Sequence, residues 1–183
     1  MKQAAFFLLL TGLFALTAAN AQKYEREERI SPEELPAAVL LYLNEKYPQR
    51  SKVRHYRELS RFGTQDKLQL FFESKFQDEG WYYSVKFDSL GQLYDTERIL
   101  PRRQLSEKLE DRIKKDLSQF FSRYRLRKIQ QRLEEDGAVT GYEIVVRGKH
   151  DKTVSYYEFQ YSANGERQSQ ELIEQAPNPF FFF

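Results

Sequence analysis

The stretch YYSVKFDSLG, residues 82–91, returns as YYEFQYSANG at residues 156–165, an offset of 74. Around it Tyr82, Tyr83, Gly91, Glu97 and Ile99 match Tyr156, Tyr157, Gly165, Glu171 and Ile173. At the same offset KLQLFFESKF (67–76) faces GYEIVVRGKH (141–150), where Leu68/Tyr142, Leu70/Ile144 and Phe72/Val146 keep apolar character. Further upstream the offset widens to 77, and Leu40, Leu43 and Tyr47 then face Leu117, Phe120 and Tyr124. Drift in the loop between a helix and its strands produces such a gap. The expectation is one unit written twice, although solenoid arrays show three copies or more.

Each copy opens with a helix. In the first, Leu35, Val39, Leu43 and Tyr47 recur every four residues and share one face. Ser31 and Glu34 suit a capping box with Pro32 at the first helical position. Pro36 conflicts with that start, because it lacks an N–H, so the helix can instead begin at Pro36; Pro48 ends it. In the second, Leu109, Ile113, Leu117, Phe120 and Tyr124 form the stripe and Ser106 is the cap. Four strands follow each helix: 52–60, 66–76, 81–88 and 92–100, then 126–134, 139–149, 153–162 and 165–174. The intervening turns, QDEGW, DSLGQ, EEDGA, KHDK and SANGE, carry turn chemistry, and Asn164-Gly165 tolerates the positive φ of a tight hairpin. Alternation puts Trp81, Tyr83, Val85 and Phe87 on one face with Tyr157, Phe159 and Tyr161. Pairing adds Leu68, Leu70, Phe72, Tyr142, Ile144 and Val146 to this face, which the helices should cover. The expected fold class is therefore α+β, two tandem repeats at 31–100 and 101–176, each one helix packed on a four-stranded antiparallel sheet, with LPRRQ (100–104) as the hinge.

The flanks read differently. Residues 1–21 have a Lys2 n-region, the apolar run AAFFLLLTGLFALTA and Ala19-Asn20-Ala21 before a cleavage point, so they are expected to be a signal peptide, with Gln22 as the new N-terminus. Residues 22–30 read as a charged linker, and 177–183 as a Phe-rich tail ending in Phe180–Phe183. The tail can dock into its own protein or a partner, or stay loose as chain ends often do. A periplasmic or secreted location follows from the signal. The chain beyond Ala21 holds 28 basic and 27 acidic residues, a balance that argues against nucleic-acid binding. It has no cysteine, so thiol catalysis and disulfides are out, and 15% aromatic residues supply the core instead.

At this point the residues resemble a family. Leu35-Pro36, Val39, Tyr42-Leu43, Tyr47-Pro48 and the downstream YYSVKFDSLGQL are similar to the exported PepSY-like proteins of Gram-negative bacteria, themselves described as similar to the β-lactamase inhibitor protein. The second half departs from that pattern, with Leu105-Ser106 for Leu-Pro, Arg125 for the proline and Asn164 in the last turn. The resemblance implies a helix-backed antiparallel sheet and an inhibitor-like binding role. It carries over no catalytic residue.

No enzyme motif stands out, and no catalytic, metal or cofactor site is assigned. His55 and His150 do not correspond between the copies, and His150 in KHDK suits a solvated turn. Glu97 and Glu171 recur at equivalent, nominally helix-facing positions; an acid/base pair is conceivable there, and strand-end charge pairing is the plainer reading. The run SRYRLRKIQQR (122–132) suits either a solvated helix end or a patch for an acidic partner or headgroup. The expected binding surface is the face opposite the helices. Tyr56, Phe71, Glu73, Tyr82, Lys86 and Tyr94 lie there in the first copy, with Arg147, Lys149, Tyr156 and Glu158 in the second. Rings mixed with charges of both signs are the composition of a protein interface, against the alternative of cross-strand pairs that only support the sheet. The expected partner is a protein of the cell envelope or exterior. The rival readings are an envelope-associated structural protein held by the basic run and Phe tail, and an enzyme with an unrecognised carboxylate site.

Overall fold

The computed structural model describes residues 22–61, 67–150 and 152–173, with side chains from Glu25 onward. The expected signal peptide, the Phe-rich tail and Asp151 lie outside the described residues. Nine strands and two helices follow in the order β1 (Gln22–Ile30), α1 (Ala37–Lys46), β2 (Ser51–Arg61), β3 (Gln69–Asp78), β4 (Trp81–Asp88), β5 (Leu93–Ile99), α2 (Glu107–Phe120), β6 (Arg123–Leu133), β7 (Val139–His150), β8 (Thr153–Ser162) and β9 (Arg167–Ile173).

Local chemistry explains the elements. Before α1 the Ser31 N–H donates to Glu34 Oε2 at 2.9 Å, closing a capping box on a short 3₁₀ turn, Pro32–Glu34. The α-helix proper starts after Pro36, so both of the competing start signals are used, on successive turns. Ser106 caps α2 by accepting from the Leu109 N–H at 3.4 Å. Gly91 and Gly165, the glycines of the repeated motif, have φ of 81° and 82° and press the β4–β5 and β8–β9 turns against α1 and α2. A Cβ on Gly165 would stand 2.6 Å from Leu109 Cδ1.

The assembly differs from the expected pair of four-stranded sheets, and that fold class is corrected. One sheet runs β1 to β9 in chain order and closes as a barrel through a short parallel pairing of β1 with β9. Two features prevent the division. The end of β5 pairs with β6, Glu97 with Arg132, Arg98 with Gln131 and Ile99 with Gln130, and the Leu100 N–H extends that seam to the Ile129 carbonyl at 2.8 Å. Residues 22–30, read as a linker, form β1 and pair with β2 from Ile30↔His55 outward. Free strand edges carry unpaired N–H and C=O groups, and each of these pairings removes one.

The helices lie outside the barrel. α2 presents Glu107, Lys108, Asp111, Arg112 and Lys115 to solvent and buries Leu109, Ile113 and Leu117. A barrel of about eight strands has an interior just wide enough to be filled by side chains or to hold one small ligand. Two apolar cores result. α1 packs Val39, Leu43 and Tyr47 on Phe72, Phe76, Val85 and Phe87. α2 packs on Ile144, Val146, Phe159 and Tyr161, with Phe121, Tyr157 and Trp81 around them. The face expected to meet the helices meets them, apart from Leu68, which is exposed; Trp81 is half-buried against the α2 core, with the Arg98 guanidinium 4.4 Å over its ring.

Candidate functional site on the helix-free face

The helix-free face is the inner wall of the barrel, and it is charged. Cross-strand register builds it row by row. Glu58 opposes Glu27 and Phe71, Glu73 opposes Tyr56 and Lys86, and Lys86 opposes Asp95. On the other side Gln130 opposes Glu143, Glu143 opposes Gln160, and Glu158 opposes Val145 and Glu171.

Ion pairs organise this wall. Lys75 Nζ sits 2.6 Å from Glu27 Oε1 and 2.9 Å from Glu73 Oε2, with the Tyr56 ring 4.8 Å away. Lys86 Nζ lies 2.8 Å from Glu58 Oε2 and 3.7 Å from Glu25. Ser60 and Ser84 donate hydroxyl protons to Glu58 and Glu73. Lys128 pairs with Glu143 at 2.8 Å, and Arg132 lies 3.6 Å from Asp95.

Burial and like charge set the acidities. Burial pushes the fully buried Glu58 up to about 7; Lys86 opposes this and Glu25 adds to it. Burial, then repulsion from Glu143, raises Glu97 well above the carboxylate range. Burial raises Glu27 and Asp95 as well. Glu73 goes the other way, because Lys75 and Lys86 outweigh its burial. Burial works against the charge on Lys75 and Lys128, but Glu73 beside the first and Glu143 beside the second hold both pKa values up.

The ten residues expected to bind a partner share this face but do not form one open patch. Phe71, Glu73 and Glu158 are buried. Tyr56, Tyr82, Lys86 and Tyr156 are half-buried, and Tyr94, Arg147 and Lys149 are exposed. Tyr94 lies at a bulge where the β4–β5 register shifts, and its ring reaches Phe71 at 4.7 Å. The same bulge moves Asp95 and Glu97 onto the inner wall, and a second one in β8–β9 does so for Glu171. The helix-facing assignment of Glu97 and Glu171 is therefore corrected, and the two stand on separate strand pairs. Of the run 122–132, all but Ser122 lies in strand β6, so the expected strand at 126–134 begins earlier and the helix-end reading of the run is corrected. His55 is buried against Ser74 at 2.8 Å, and His150 stacks on Phe120 at 4.6 Å, so the two histidines serve different contacts.

Sequence reading missed Glu25, Glu27, Glu58, Lys75, Asp95, Lys128, Gln130 and Glu143 as members of the wall. The signal was present as charged or amide residues at every second position, Glu73 and Lys75, Lys128, Gln130 and Arg132, in strands whose other face is apolar.

No family model matches the chain, and no curated protein matches it. Solved structures do. Crystal structures of DUF2874 family proteins from Bacteroides uniformis ATCC 8492 and Bacteroides ovatus ATCC 8483 superpose with a TM-score of 0.54 each, at 14% and 15% identity. They cover 79% and 81% of this chain and 94% and 98% of their own. A protein of Bacteroides eggerthii DSM 20697, described as among "putative periplasmic proteins", gives 0.53 at 14% identity over 79% of this chain and 94% of its own. Among the described residues no helix is long and apolar enough to cross a membrane. At these identities the likeness shows a shared fold and nothing finer, so the PepSY-like resemblance stays outside what the comparisons carry.

Proposed function

We propose that the chain is an exported, non-catalytic binding protein whose helix-free face engages a protein partner. The observation that supports this reading is the composition of that wall. It combines rings, Tyr56, Phe71, Tyr82, Tyr94 and Tyr156, with charges of both signs, where a wall serving only to fill a barrel would be apolar. Of the carboxylates with raised pKa, Glu58 is met by Lys86, Glu27 by Lys75 and Asp95 by Arg132. An inhibitor-like role, with an envelope or extracellular enzyme as the partner, is the finer form of the proposal and rests on the PepSY-like resemblance.

The test is capture from the source bacterium's own envelope extract by the chain from Gln22 onward, in parallel with a Tyr82→Ala/Tyr156→Ala variant. Both rings are half-buried, so the variant is first shown to be folded by circular dichroism. A partner bound by the native chain and weakened by about 1–3 kcal/mol in the variant supports the reading. Equal capture by both overturns it. Salt-sensitive binding to anionic vesicles, lost on replacing the exposed Arg123, Arg125 and Arg127 of β6, would favour the envelope-structural role instead.

A further inference from the structure

The inner wall between β5 and β8 holds buried hydrogen-bond acceptors that lack a donor. Asp95, Glu97, Glu143 and Glu158 lie on it with Lys128 and Arg132, and with Arg147 and Lys149 toward one end. Lys128 is bonded to Glu143 at 2.8 Å and Arg132 approaches Asp95 at 3.6 Å. Among the described residues no cation stands at ion-pair distance from Glu97. Gln160 gives its Nε2 protons to Glu143 at 3.1 Å and Glu158 at 3.3 Å, which leaves its Oε1 buried and without a donor.

A second observation is independent of the acids. Gln130 is 4% exposed, lies directly across from Glu143 on the same face, and its Oε1 has no hydrogen-bond donor among the described residues. A buried acceptor left unmet destabilises the fold that holds it. Two buried amide oxygens without donors, beside a carboxyl with no cation at ion-pair distance, therefore call for a group with several N–H donors.

We propose that this wall binds an alkylammonium or guanidinium group, carried by a polyamine or by a Lys or Arg side chain of a partner segment. The proposal rests on the helix-free face being the binding surface and narrows what that face takes. A single metal ion fits less well. The described carboxylates whose oxygens come within 4.8 Å of one another in a group of three are Glu25, Glu27 and Glu58, and there the fold supplies its own ammonium groups, Lys86 at 2.8 Å from Glu58 and Lys75 at 2.6 Å from Glu27. The acids near Glu97 are spread along the wall, an arrangement that suits an extended donor. Solvent reaches them, since Glu97, Asp95 and Gln160 are only half-buried. Cations gather at one end of the strands, at Arg123, Arg125, Arg147 and Lys149; at the other the β6–β7 hairpin carries exposed Glu134, Glu135 and Asp136.

The experiment is calorimetric titration of the chain from Gln22 onward, near neutral pH and low salt, with three probes: tetra-arginine peptide, tetra-lysine peptide and spermine. Tetra-glutamate is the control. Two variants test the site, Glu97→Gln and Gln130→Met, and Glu79→Gln makes the same substitution in the exposed β3–β4 turn. Binding of a cationic probe that Glu97→Gln and Gln130→Met each weaken about tenfold or more, with Glu79→Gln unchanged, supports the proposal. Peptide binding alone assigns the cation to a partner segment, and spermine alone assigns it to a free polyamine. Absence of binding by all three probes, or equal weakening by Glu79→Gln and Glu97→Gln, overturns it. Loss of partner capture on Tyr82→Ala/Tyr156→Ala would survive that failure, so the two readings fall separately. Thermal melts confirm that both site variants are folded, and Glu97→Gln is expected to melt no lower than the native chain, because it removes a repelled carboxyl.

Discussion

Glu58 shows how single residues govern this molecule's response to pH. Its carboxyl is wholly buried, and its folded pKa of about 7 stands above the ordinary 4.5. The folded state thus holds the proton more tightly than the unfolded chain does. Stability from this group is present below about 4.5 and is lost as pH rises through about 7. Urea midpoints measured across that window should fall less with pH in Glu58→Gln than in the native chain. A parallel pair of curves would show that Glu58 titrates normally. Lys128 makes the complementary case. It holds Glu143 at 2.8 Å and attracts Glu97, so Lys128→Met leaves the buried Glu143 without its cation. Removing one partner of such a pair costs about 3–5 kcal/mol. Urea unfolding at neutral pH should show that loss; one under about half a kcal/mol would mean that the lysine is not needed to hold Glu143.

At the scale of elements the sequence was largely legible, and the failures have physical causes. Helix stripes, caps, hairpin turns and the apolar strand face could all be read because each depends on neighbours within a few positions. Val39, Leu43, Phe87 and Phe159 are fully buried where the alternation and the fourfold spacing put them. Phe87→Ala and Phe159→Ala should each cost about 3–5 kcal/mol in urea unfolding. Leu41→Ala, on the exposed side of α1, should stay within about half a kcal/mol. Losses under about one kcal/mol at both phenylalanines would mean that the helices do not cover this face. Three features were not legible. The bulges in β4–β5 and β8–β9 insert one residue and invert the parity beyond them, which put Glu97 and Glu171 on the wrong side. β1 has charge on both faces, Glu25 and Glu27 inward and Arg26 and Glu28 outward, so nothing in its pattern marked a strand. β6 is legible as a strand from residue 126; its basic start at 123–125 has the composition of a solvated helix end, and pairing with β7 makes it strand as well.

For the whole molecule, the step from two sheets to one changes what the helix-free face is. Two separate sheets would leave that face broad and open. A single sheet of nine strands curls it inward, buries Phe71, Glu73 and Glu158, and leaves Tyr94, Arg147 and Lys149 accessible. The candidate site could be listed from parity alone; its enclosure could not, because enclosure depends on the few pairs at the β5–β6 seam and on the closure by β1. The most direct measurement is native-state amide hydrogen exchange at that seam, read at Leu100, whose N–H is bonded to the Ile129 carbonyl at 2.8 Å. A continuous sheet requires Leu100 to open with a free energy close to that of the buried Ile144 and Phe159 amides, near the global value. Exchange of Leu100 at the rate of the exposed turn amides, with Ile144 and Phe159 still protected, would contradict the single sheet and return the face to two open halves.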